Sequence, residues 1–75
     1  MEKKLKQALD KRGLRYNFVA KHVGLTDGYF NNLINGHVNM PIDTLLEILY
    51  VANIDFEEVR DDYPQWSNYY RLRGD

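Results

Sequence analysis

Every apolar repeat in this chain is short, and glycine or proline borders each of them. Leu5, Ala8 and Leu9 recur at i, i+3 and i+4, a helical period. Gly13 follows them directly after the basic pair Lys11 and Arg12, which suits a helix C-terminus. Tyr16, Val19, Ala20 and Val23 repeat the pattern and meet Gly24. Phe30, Leu33 and Ile34 repeat it again before Asn35-Gly36, a pair read as a stop in which Asn35 serves the turn. Pro41 then opens the most apolar block, with Ile42, Leu45, Leu46, Leu49 and Ala52 in register and Ile48 beside them. Asp55-Phe56-Glu57-Glu58 reads as a capping box that starts a fifth helix over Phe56 and Val59, and Pro64 interrupts it. No stretch alternates at period two over a convincing length. The predicted class is all-α, with five short helices. The first spans about residues 2–12, Thr26 or Asp27 caps the third, and Leu25 is a buried hinge before it.

Size sets the next limit. Seventy-five residues make one domain at most. Such a chain buries only about 60% of the surface that its unfolded form exposes, so its apolar residues are needed for a single core rather than a deep catalytic pocket. There is no cysteine for a disulfide framework, and His22 and His37 alone do not build a structural zinc site. No metal or cofactor is expected. No apolar run is long enough to span a membrane, and Met1 to Lys6 lacks the apolar stretch of a secretory signal, so the expected location is cytoplasmic. No zinc-protease motif, phosphate-binding glycine loop or nucleophile–base pair is present, so no enzyme is expected.

The net charge of −1 hides a polarity. Residues 1–25 carry Lys3, Lys4, Lys6, Lys11, Arg12, Arg15 and Lys21 against Glu2 and Asp10, for a net +5. Residues 26–65 carry Arg60 against eight acidic side chains, for a net −7, and residues 66–75 return +1. This distribution suggests one face for an anion and one turned away from it, although charged helix surfaces can be arranged so by chance. Two short helices joined at Gly24-Leu25 have a specific use with such an anion. The first lies across a DNA backbone, and the second offers its N-terminal residues to the major groove.

The register of the whole chain resembles the Cro/phage-repressor family of helix-turn-helix domains. The landmarks are "LKQALDKRGL", "VAKHVGLTDGYFNNLINGH" and "PIDTLLEILYVANIDFEEV", from Leu5 to Val59. The resemblance implies a five-helix lambda-repressor-like domain over residues 1–62, with the third helix as reader. It also implies a homodimer on a pseudo-palindromic duplex. The sequence departs from the family in two places. Arg15 and Tyr16 stand where Ser-Gln is common, which exchanges a helix cap for a strong phosphate ligand. Ile34 stands where Glu often precedes Asn-Gly.

From the resemblance, the base-reading candidates are Asp27, Gly28, Tyr29, Asn31 and Asn32. Asn32 is the preferred reader, since an asparagine amide can pair with adenine in two places. Tyr29 and Asn31 are expected nearer sugar and phosphate. Asp27 serves either as a helix cap or as an acceptor for cytosine N4, and Gly28 allows close approach to the groove floor. The DNA-backbone candidates are Arg15, Tyr16, Asn17, Lys21, Thr26, His37 and Asn39, with Lys11 and Arg12 adding field.

The extension over residues 63–75 lies beyond the resemblance and is rich in aromatic residues. Trp66, Tyr69, Tyr70 and Leu72 are expected at a two-fold interface, together with Ile48 and Tyr50, or else folded back over the domain's own core. The expected function is a sequence-specific DNA-binding transcriptional regulator, a phage or bacterial repressor binding double-stranded DNA. The alternative is a protein-interaction module on the same fold, such as an antirepressor, suggested by the acidic second half and by Asp27 and Gly28 on the reading face.

Overall fold

The computed structural model describes residues 3–66. It is all-helical, and no strand occurs among the described residues. The order is α1 (Lys4–Lys11), α2 (Tyr16–His22), α3 (Asp27–Asn35), α4 (Ile42–Ala52) and α5 (Phe56–Val59), with a 3₁₀ turn over Arg60–Asp62. Each helix buries the side of its apolar period. Leu5, Ala8 and Leu9 enter from α1, Val19 and Ala20 from α2, and Phe30, Leu33 and Ile34 from α3. Phe56 and Val59 close the core from α5, with Met40, Ile54 and Tyr63 filling in from the connections. No polar or charged residue is buried among the described residues, as a domain with so little interior requires.

The buried stripe of α4 is Leu45, Ile48, Leu49 and Ala52, spaced i, i+3, i+4 and i+7. Leu46 is turned to the edge and half-buried. Ile48 has no exposed surface, so it belongs to the core and not to the outward interface expected of it. Its neighbour Tyr50 is 87% exposed.

The fifth helix begins at Asp55 without the expected capping box, for the Asp55 side chain makes no cap hydrogen bond. Glu58 is engaged elsewhere. Both its oxygens accept from the Arg12 guanidinium at 3.0 Å, and Lys11 Nζ lies 3.2 Å away. A fork-shaped cation held by two hydrogen bonds outcompetes a single backbone N–H for a carboxylate. The Arg12 hydrogen bond, aided by Lys11 and opposed by desolvation, holds the Glu58 carboxyl down to about 2. The same pair raises the Arg12 pKa. This clamp fixes α5 to the end of α1. At the other end of α1, the Lys4 backbone N–H donates to the Asp62 carboxylate, so the 3₁₀ turn supplies a partner that the first turn's own sequence lacks.

The start of the C-terminal extension lies on the domain. Tyr63 is buried, and burial, with the charge of Asp62, pushes its phenol up to about 12. Trp66 is half-buried against the core and donates its indole N–H to the Met40 carbonyl at 3.1 Å. This places Trp66 as in the fold-back arrangement. Tyr69, Tyr70 and Leu72 lie outside the described residues.

Candidate nucleic-acid interface

The joint between α2 and α3 is built from side chains that let two short helices touch. Val19, Ala20 and Phe30 are fully buried there, and the Tyr16 ring lies 6.2 Å from that of Phe30 at 54°. Leu25, expected to be buried, is half-buried, and its N–H closes the end of α2 by donating to the Ala20 carbonyl at 2.9 Å. Thr26 caps α3, its Oγ1 accepting from the Tyr29 N–H at 3.2 Å. Asp27 is therefore not the cap. It is the first residue of the helix, exposed, with its charge near the positive end of the helix dipole. The far end of α3 closes at Gly36, whose φ of +83° lets the His37 N–H reach the Asn32 carbonyl at 2.9 Å. Asn35 thus lies inside the last turn of α3 and is exposed, rather than forming the turn as expected.

Among the base-reading candidates, Asp27, Gly28, Tyr29 and Asn32 are exposed on α3. Asn31 is half-buried, and its Nδ2 donates to the Asp27 carbonyl at 2.8 Å, so part of its amide edge is occupied by its own helix. Among the backbone candidates, Arg15, Asn17 and Lys21 are exposed on or beside α2, and Arg15 and Lys21 make no ion pair among the described residues. Tyr16 is half-buried, and its hydroxyl donates to Asp10 Oδ1 at 3.1 Å, which ties it to α1. Thr26 keeps its hydroxyl hydrogen after accepting from Tyr29. His37 and Asn39 are exposed in the loop between α3 and α4.

The structure changes the electrostatic account. Lys11 and Arg12, expected to add positive field at the interface, share the Glu58 carboxylate on α5, whose single charge offsets one of their two. A different cation appears. The Lys3 side chain lies against Gly36, where a Cβ would sit 3.0 Å from its Cε and 3.4 Å from its Nζ. Its ammonium therefore faces the negative end of α3, beside the loop that carries His37 and Asn39. Nothing local in the sequence signals this, since the two positions meet only through the packing of α1 against α3. His22 is exposed but held. Its Nδ1 lies 3.0 Å from the Phe18 carbonyl, and its ring is 4.3 Å from that of Phe18.

Among the described residues no group of His, Cys, Asp and Glu is arranged to hold a metal ion, and no helix is long and apolar enough to cross a membrane. What the surface offers is a capped helix with a small polar face, a second helix bearing free cations, and a loop with a lysine behind it. Such a surface binds a polyanion by contacts to its backbone and reads it by contacts to base edges. No curated protein and no solved structure matches the chain. The family model of the Cro/C1-type HTH DNA-binding domain matches residues 4–65, and the chain belongs to that family.

Proposed function

We propose that the protein is a sequence-specific repressor of transcription, of phage or bacterial origin, that works in the cytoplasm as a homodimer on double-stranded DNA. The observation that carries this reading is α3 itself. Its buried side is apolar, its cap is satisfied, and its outward side carries glycine and asparagines, with Tyr29 41% exposed beside them. Lys21 on the preceding helix and Arg15 just before its first turn stand exposed, unpaired among the described residues, where they can hold phosphates. A single module of this size contacts one half-site, which gives little discrimination against a genome of competing sites. A second copy would supply the other half-site about 34–36 Å away. The part of the extension beyond Trp66, with Tyr50, supplies the surface for that association.

The experiment is a salt titration of duplex binding by the wild type and by Arg15→Ala. Loss of one phosphate contact lowers the slope of log K against log salt by about 0.9 and weakens binding to all sequences alike. An unchanged slope would make Arg15 a surface charge only. The protein-interaction alternative draws on the 87% exposure of Tyr50 and on the negative charge of Asp27 at the start of α3. It predicts no duplex binding at low salt.

A further inference from the structure

Helix α3 carries two opposed stripes. Phe30, Leu33 and Ile34 face the core, with at most 1% exposure. At about 100° of turn per residue, the side opposite them holds Gly28, Asn31, Asn32 and Asn35, spaced i, i+3, i+4 and i+7. Asp27 and Tyr29 flank that stripe. There is no lysine or arginine anywhere in α3, so the commonest guanine contact, a cation to O6 and N7, is not available from this helix. Asparagine pairs instead with adenine N6 and N7. Asn31 has already committed its Nδ2 to the Asp27 carbonyl. Asn32 and Asn35 are exposed, and their side chains make no hydrogen bond among the described residues. One turn before Asn32, a Cβ at Gly28 would meet nothing within 4 Å, so the chain leaves open space on the approach to Asn32.

We infer that α3 selects its half-site through two adenines, one read by Asn32 and one by Asn35, which makes Asn35 a specificity-determining residue. The inference rests on the DNA-binding reading above. The rise of 1.5 Å per residue sets the two side chains about 4.5 Å apart along α3. That separation is close to the 3.4 Å step of a duplex, so the adenines fall on neighbouring base pairs.

The test is selection of bound duplexes from a random pool by the full chain. The selected duplex is then bound with each adenine replaced in turn by 7-deazaadenine, which lacks the N7 acceptor. The wild type, Asn32→Ala and Asn35→Ala are compared. The expected motif has neighbouring adenines in its core. One replacement should weaken the wild type roughly tenfold and leave Asn35→Ala indifferent, and the other should do the same for Asn32→Ala. The base replacement acts on the unmodified protein, so the result does not depend on a variant's folding. A core of G·C pairs, or a replacement that weakens all three proteins equally, overturns the inference while DNA binding stands. Failure of the wild type to bind any duplex overturns both.

Discussion

Replacing Gly28 with alanine should make the free protein more stable and a poorer binder of DNA. Gly28 lies in the first turn of α3 with ordinary negative φ, and a Cβ built there meets nothing within 4 Å. No packing inside the chain therefore calls for glycine. A glycine in a helix costs about 0.5–1 kcal/mol relative to alanine. The first turn is less constrained than the middle, so the gain is set at ~0.5 kcal/mol. For a domain of this size that is a rise in Tm of roughly 2–4 °C. If α3 lies in the groove, the added methyl group faces the base edges. Forcing a methyl group into a packed contact costs ~1 kcal/mol or more, or roughly fivefold or more in Kd. Thermal unfolding followed by circular dichroism, and binding to the selected duplex, give the two numbers. Gly36→Ala is the contrast. Its φ of +83° strains any L side chain, and Lys3 Cε lies 3.0 Å from the new methyl, so this variant should lose ~1 kcal/mol or more. A lower Tm for Gly28→Ala would refute the open geometry at that position. A higher Tm with unchanged affinity would refute the claim that this side of α3 meets DNA.

The remaining predictions concern the clamp and the extension. The Glu58 carboxyl is held at about 2, below its usual 4.5, so its ion pair contributes stability above pH 4.5 and that contribution is lost as pH falls toward 2. Glu58→Gln should be less stable at neutral pH and should show a shallower decline between those values in urea unfolding, whereas parallel curves would mean that the clamp adds nothing. Truncation after Trp66 keeps the indole bonded to Met40 and should preserve the helical circular dichroism while shifting sedimentation toward monomer. A full chain that is already monomeric at high micromolar concentration contradicts the homodimer.

The helices were legible in the sequence because each apolar period is local and each carries its own stop. Gly36 ends α3 where Asn35-Gly36 says it should, although the asparagine stays within the helix. Leu45, Leu49 and Ala52 were readable as the inner side of α4, but Ile48 was not, because the apolar pair Leu45-Leu46 and the run from Ile48 to Ala52 leave the rotation of the helix open. Partners distant in sequence were the harder matter. Glu58 looked like a cap by spacing and is a clamp because Arg12 comes within reach only when α5 docks on α1. Lys3 reached the loop beside α3 through the same kind of packing. The exposed residues of α2 and α3 could be placed from helical period alone. The hydrogen bonds that bind Asn31 and Tyr16 to their own chain required the folded backbone and its neighbours.

The central claim is that the surface formed by α2, α3 and the loop after α3 meets DNA. The most direct measurement is an amide chemical-shift titration of the full chain with the selected duplex. The account predicts the largest changes at Arg15, Asn17, Thr26 to Tyr29, Asn32, Asn35, His37 and Asn39, with Tyr50 and Glu58 little affected. Changes centred on Tyr50 and α4, or a spectrum that the duplex leaves unmoved at low salt, would contradict it.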